Sequence, residues 1–341
     1  MFLYDFLQDY YKKICVDNIE IFKNKKILIT GSNGLIGSNF INYFYFLNIN
    51  FNFNIKIIAH SFSKPVDWLP KDNNIMYLHS DLNKESFDFH FDYLIHAATY
   101  GQPKKVLDNK IGTVLLNTTT LIKLLNLAHK NSAKVLFLSS SSIYGETSVI
   151  PTPENYNGDL NTFNPSSLYA ESKRMAETIC KAYIDDYNMD IKIARIAIAY
   201  GPGVKLNDKR FLNEFIKKAL DYQEIAMLDR GEAKRQFNFI TDCIEMCLNI
   251  LLHAKEYIYN VGGIFDENQN KIVSIANIIG DLLNAKVIVP EYENIQNLHA
   301  QSIVNLDIQK YINEFKKNSF VSLKDGIELN IKWIKMLKDN R

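Results

Sequence analysis

The chain predicts an α/β fold: a doubly wound parallel sheet with a smaller C-terminal α/β unit. Three observations carry this. Short apolar runs of strand length alternate with longer stretches of helical period. The first such run, "KKILIT" at 25–30, passes straight into a glycine-spaced loop. After Gly201 the alternation gives way to a more mixed pattern. Strands that alternate with helices pair in parallel and are covered on both faces. Right-handed crossovers then give a Rossmann-type sheet. A length of 341 residues, 47% of them apolar, suffices for one large domain or two closely packed ones.

Taken in order, residues 1–24 open with Phe2, Leu3, Phe6, Leu7 and Tyr10 at helical spacing, an amphipathic helix packed on the body or on a partner subunit. This stretch has neither a basic leader region nor a small-residue cleavage site, so it is not read as a secretory signal. Strands are predicted at 25–30, 55–60, 75–82, 91–99, 134–142 and 191–201. Helices follow the first strand at 34–47, the fourth at 109–130 and the fifth at 166–187. Beyond Gly201 come a loop, a helix at 211–222 and a further strand at 257–263. The boundaries that follow are 1–24 for the N-terminal extension, 25–200 plus 235–261 for the sheet domain, and 201–234 plus 262–341 for the substrate-side domain. No segment approaches the ~20 apolar residues of a membrane span.

The formal charge of +1 offers no broad attraction to nucleic acid or to an anionic membrane. A small anionic ligand must then be held by local groups. Of the four cysteines, Cys243 and Cys247 sit in an apolar helical stretch without further ligands nearby, which predicts buried reduced thiols in a cytoplasmic protein and no metal site.

Gly31, Gly34 and Gly37 form T-G-x-x-G-x-x-G between a strand and a helix. The first glycine permits the tight turn, the second lets a pyrophosphate approach the backbone, and the third lets helix and strand pack closely. Free N–H groups at the helix start, in the run Asn33, Gly34, Leu35, Ile36 and Gly37, then face the phosphates of a dinucleotide. An acidic residue closing the second strand would select NAD, and a basic or hydroxyl set NADP. "AHSFSK" at 59–64 has no Asp or Glu, and Ser61, Ser63 and Lys64 could contact a phosphate, so the loop favours NADP over NAD. Asp81 and Leu82, closing the third strand, stand where the adenine amino group would be bonded.

"SSLYAESKRMAE" places Tyr169 and Lys173 four apart on one helix face. A phenol is a poor base at neutral pH. A nearby ammonium, with the positive charge of an oxidised nicotinamide, lowers its pKa so that it can exchange a proton with a sugar hydroxyl. This requires the amine of Lys173 to be aimed at that centre. "LSSSSIYG" supplies a serine at the end of the fifth strand as a second donor.

With "TGSNGLIG", "SDL", "HAAT", "SSSSIYG", "YAESK", "ARIAIAYGPG", "AKRQFNFITD" and "YNVGG", the chain resembles the extended short-chain dehydrogenase/reductases that modify nucleotide sugars, from residue 25 to the C-terminus. The resemblance implies a nucleoside-diphosphate sugar substrate and a homodimer formed through the helices at 110–130 and 167–187. It implies Ser140, four positions before Tyr144, as the catalytic serine. It places Ala97, Ala98, Thr99 and Asn117 on the cofactor side, Tyr100, Gly101 and Gln102 facing the sugar, and Arg235, with Arg210, on the diphosphate, where a guanidinium's forked donors suit it.

Departures narrow the reaction. Where the family's dehydratases carry Asp-Glu after the catalytic hydroxyl, and its decarboxylases keep the Glu, this chain has Ser141 and Ser142. No carboxylate stands ready to protonate a leaving hydroxyl. Ile198 replaces an asparagine that contacts substrate in many members. The expected activity is an NAD(P)-dependent nucleotide-sugar epimerase acting by hydride transfer at one carbon, with an NADPH-dependent ketoreductase as the alternative. A dehydratase or decarboxylase is less favoured, and a non-catalytic NAD(P)-binding sensor least, because Tyr169 and Lys173 are both kept.

Overall fold

A computed structural model describes residues 3–85, 87–165, 167–291 and 302–339. Phe2, and residues 292–301 of the expected substrate-side domain, lie outside the described residues. Seven strands form one parallel sheet: β1 (Lys26–Thr30), β2 (Lys56–Ser61), β3 (Ile75–His79), β4 (Tyr93–His96), β5 (Lys134–Ser140), β6 (Ile191–Ile196) and β7 (Ile258–Val261). Their spatial order is β7-β6-β5-β4-β1-β2-β3, all parallel, so the order reverses between β1 and β4. A crevice for ligand opens beyond the carboxyl ends of the strands at such a reversal.

Helices cover both faces. On one lie α1 (Leu3–Tyr11) and α2 (Leu35–Phe51); on the other α3 (Pro103–Asp108), α4 (Lys110–Asn117), α5 (Thr119–Lys130) and α6 (Ser167–Tyr187) run in turn. The period-2 side-chain alternation of β1 sends Ile27 and Ile29 into the core cluster of α1 and α2, and Leu28 into that of α5 and α6. Later in the chain come α7 (Phe211–Tyr222), α8 (Ile240–His253), α9 (Ile272–Leu283), α10 (Gln309–Phe315) and α11 (Leu323–Asp339). Three two-stranded parallel pairs stand outside the main sheet: 198–200 with 237–239, 224–226 with 286–288, and 234–235 with 303–304.

Several expectations are corrected. The helix expected over 109–130 is two, because Thr118 leaves helical geometry at φ −120°, ψ −83°. The strand expected over 191–201 breaks at Ala197, and 198–200 pairs with 237–239 instead. The fifth strand stops at Ser140 and continues as a short 3₁₀ turn, Ser141–Tyr144. The expectation that no segment reaches the apolarity of a membrane span also needs correction: the 21 residues Lys110–Lys130 are long and apolar enough to cross one by length and composition. Here it is α4 and α5, whose apolar residues Leu116, Leu121, Leu124 and Leu125 are buried in the core shared with α6. Finally, three of the four free cysteines are buried, but Cys15 is exposed.

The N-terminal helix packs on the body of the same chain. Leu3, Leu7 and Tyr11, one helical face, are essentially inaccessible.

Candidate active site

The glycine loop folds as its spacing dictates. Gly31 takes φ +73°, and a Cβ there would sit 2.6 Å from the Ala97 carbonyl carbon. A Cβ on Gly37 would sit 2.3 Å from the Gly31 oxygen. No side chain fits at either position, so the loop stays open at the start of α2, whose first-turn N–H groups have no intrahelical acceptor. This is a cradle of the size and polarity that a dinucleotide diphosphate needs, and the residues present fit that group.

A cleft of about 490 Å³ runs past this loop, lined by Gly31, Asn33, Gly34, Leu35, Ile36 and Gly37, and by Ser61, Phe62 and Ser63 at the end of β2. Ala97, Thr99, Tyr100, Gly101 and Gln102 line its other side. The Asn33 amide is engaged: Nδ2 donates to the carbonyls of Ser63 (2.9 Å) and Lys64 (2.7 Å) and to Ser63 Oγ (3.0 Å), and Oδ1 accepts from Val66 N–H. It therefore tethers the 63–66 segment to the glycine loop. Ser61 Oγ donates to the Ser63 carbonyl at 2.6 Å. Lys64, Asp81 and Leu82 are not in the cleft wall. Asp81 Oδ1 accepts from Asn83 N–H within its own turn, and Leu82 lines a separate cavity with Phe87 and Leu124. Asn117 and Ala98 are also outside the wall. Asn117 Nδ2 donates to Ser172 Oγ (2.9 Å), which locks α4 to α6 below the site, and Ala98 N–H points to Thr30 Oγ1 at 3.4 Å.

A second cavity, about 480 Å³, continues from the first past Thr99, Gly101 and Val204. Its wall includes Ser139, Ser140, Ser141, Tyr169, Ile198 and Arg210. Here β5 ends beside the first turn of α6, so the serine and the phenol meet. Burial raises the Tyr169 pKa, while the Ser140 and Thr99 hydroxyls beside it pull the other way. Ser140 Oγ accepts from Ser142 N–H (3.2 Å) and from the Ser142 hydroxyl (3.0 Å). With its lone pairs occupied, Ser140 has its own proton left to donate into the cavity.

The amine of Lys173 is aimed elsewhere than the sequence requires. It donates to the Leu138 carbonyl at 2.7 Å and lies 4.5 Å from the Phe137 ring centroid. The Tyr169 phenol thus receives no lowering from the ammonium in this structure, contrary to expectation, because the nearest acceptor for the amine is the backbone of β5. Burial pushes the Lys173 pKa down to about 7, with Cys180 and Glu177 acting in the opposite sense. His96, fully buried, is pushed to about 3 by burial and by Lys173, so it is neutral. Its Nδ1 lies 2.7 Å from Thr30 Oγ1.

Behind the site lies a fully buried polar network. Glu177 accepts from Ser139 Oγ (2.5 Å) and from Arg195 Nε and Nη2 (2.7–3.2 Å). Arg195 Nη1 donates to the Tyr144 hydroxyl, which donates to Asn260. The network pins the end of β5 to β6, β7 and α6.

On the far side, Arg210 lines both cavities but is paired bidentately with Asp208 (2.8–3.1 Å), a partner visible in the sequence only as the acid two residues earlier. Arg235 is in neither wall. Its guanidinium donates to the Lys234 carbonyl at 2.8 Å and, among the described residues, has no carboxylate within 4 Å; burial lowers its pKa. Val204, Lys205 and Phe211 line the cavities without having been singled out in the sequence, since loop and aromatic positions carry no motif.

A parallel sheet with a reversal crevice, a glycine cradle and a Ser-Tyr pair at the strand ends defines a class of nucleotide-cofactor enzymes. The chain belongs to the NAD dependent epimerase/dehydratase family, whose model matches residues 27–262. Among curated relatives it is 28% identical over 261 residues to UDP-glucuronic acid decarboxylase 1 of Xenopus tropicalis, and 27% identical over 262 residues to that of Danio rerio. These alignments take in 76% and 77% of this chain but only 61% and 62% of those proteins. Among solved structures it resembles the epimerase Mth375 of Methanothermobacter thermautotrophicus (TM-score 0.80, 21% identity, 95% of this chain and 96% of that one). It also resembles UDP-glucuronic acid 4-epimerase of Bacillus cereus, solved with UDP-glucuronic acid and NAD (TM-score 0.74, 21% identity, 92% and 99%). These structures share the fold.

Proposed function

We propose that the protein is a nucleotide-sugar epimerase that inverts one sugar carbon, C4, through a bound nicotinamide dinucleotide. The observation that carries this is the pairing of Ser140 with Tyr169 in a cavity continuous with the glycine-loop cleft. When bound, the nicotinamide supplies the hydride acceptor and donor. The chain's residues do the rest. Tyr169 exchanges the proton of the reacting hydroxyl. Ser140, oriented by Ser142, donates to the same oxygen. Lys173, bonded to the Leu138 carbonyl, holds α6 against β5 one helical turn below the phenol, and Arg210, which lines both cavities, holds the diphosphate. No carboxylate flanks Ser140, since Ser141 and Ser142 fill the next two positions. Elimination of water and decarboxylation therefore lack their proton donor, and redox at one carbon remains.

A keto-sugar reductase using NADPH is the second reading, and the end of β2 favours it. No acid stands there, and Ser63 Oγ accepts from Asn33, which leaves its own proton for a 2′-phosphate. On either reading the chain forms a homodimer across α4–α6.

Tyr169→Phe is the direct test. Turnover of UDP-sugars, followed by proton NMR, should fall by about 10² or more while NAD affinity by calorimetry is kept, the loss expected for one general acid/base. Turnover like that of the wild type removes Tyr169 from the mechanism. Stoichiometric loss of NADPH with a 4-keto sugar nucleotide, in place of isomerisation without net change, selects the reductase.

A further inference from the structure

The N-terminal helix precedes residue 27, where the family model begins, and nothing above gives it a task. Its contacts do. Tyr11, at the end of α1, donates its hydroxyl to Asn39 Oδ1 on α2 (3.0 Å), and Asn39 Nδ2 donates to the Pro202 carbonyl (3.0 Å). Gly203 follows at φ +101°. A Cβ there would stand 2.8 Å from Asn39 Nδ2 and 3.1 Å from Leu3 Cδ2, so the loop is seated directly on α1 and α2. Val204 comes next, and its carbonyl accepts from Trp333 Nε1 of α11 at 2.9 Å. The Trp333 ring is fully buried and meets two others edge-on, Phe6 of α1 (5.6 Å) and Trp68 (5.4 Å). Trp68 in turn accepts the Leu3 N–H on its carbonyl (3.2 Å) and stands two residues beyond the 63–66 segment that Asn33 tethers to the glycine loop.

Pro202 and Val204 are thus each held by a buried hydrogen bond, and Gly203 between them leaves no room for a side chain against α1 and α2. Two of them stand at the junction of the site: Gly203 lines the glycine-loop cleft, and Val204 lines both cavities. We propose that α1, with Asn39 and Trp333, is a built-in clamp on residues 202–204, and that Tyr11 and Trp333 are positioning residues for the seating of nucleotide sugar against cofactor. This rests on the epimerase-type reading of the two cavities.

The test uses the full chain and two conservative variants that keep their rings, Tyr11→Phe and Trp333→Phe, singly and combined. Tyr4→Phe is the control, since Tyr4 is on the same helix and its hydroxyl, among the described residues, accepts from the exposed Asn50 Nδ2 and reaches nothing in the 202–204 loop. The probes are NAD and UDP, titrated by calorimetry, with thermal unfolding alongside. The combined variant should bind UDP in the presence of NAD about tenfold more weakly, the loss that one or two ordinary hydrogen bonds supply. The control should bind as the wild type does. A combined variant that melts earlier yet binds both probes with unchanged affinity overturns the clamp and leaves the active-site reading intact. A wild-type protein that binds neither probe overturns both.

Discussion

Lys173 shows what a single residue costs and does here. Its folded pKa, about 7, lies below the ordinary 10.5. Between those values the unfolded chain binds more protons than the native one, so wild-type stability rises with pH through that window. Below pH 7 the full cost of burying the ammonium is present. Lys173→Met removes the charge, so its stability advantage should be largest at about pH 6 and smaller at about pH 9, read from urea midpoints. An advantage that does not change with pH would mean that the amine is not buried as described. His96 acts in the same direction at lower pH: with its folded pKa at about 3, the unfolded chain takes up a proton below about 6.5 that the native one does not, so stability falls there as pH drops. The residue level was partly legible. The glycines and Tyr169 announced themselves by spacing and Ser140 by the family resemblance, and the structure brings them to adjoining cavities. The amine's turn toward Leu138 could not be read, because a backbone acceptor carries no sequence signature.

At the scale of elements, apolar runs located the seven strands and the helices α1, α2, α6 and α7 to within a few residues. The misses have local causes. Residues 109–130 read as one helix because their apolar period is continuous; the break at Thr118 depends on backbone geometry alone. The strand over 191–201 read as one because Ala197 is as apolar as its neighbours, while its division depends on a partner strand forty residues later. Helices α3, α9, α10 and α11 were not anticipated, and neither was the short tether across the glycine-loop cleft. Asn33 looked like a phosphate contact, yet its amide closes the 63–66 segment onto the glycine loop with four hydrogen bonds. Asn33→Ala should loosen that segment and weaken dinucleotide binding by about tenfold, as measured by calorimetry. Unchanged affinity would show that the segment holds its place without the amide.

For the whole molecule, the sheet order places every strand end that matters at one edge, and the buried Glu177–Arg195 pair keeps the β5 end in register with α6. The outer surface of α4–α6 is less settled in water. Ile111 (72% exposed), Met175 (52%) and Tyr187 (52%) stand out from helices whose other faces are packed. A second copy laid across these helices would cover them. Light scattering of the purified protein should therefore report a dimer, and Ile111→Lys with Met175→Lys should yield the monomer without loss of fold by circular dichroism; a monomeric wild type would remove the proposed interface.

The chain has two tryptophans, and they are the two that touch, Trp68 from the cofactor edge and Trp333 from the C-terminal helix. All of its indole emission therefore originates at one seam, where the segment after β2 meets the C-terminal helix. The molecule carries its own optical gauge of how those loops sit, readable without a dye.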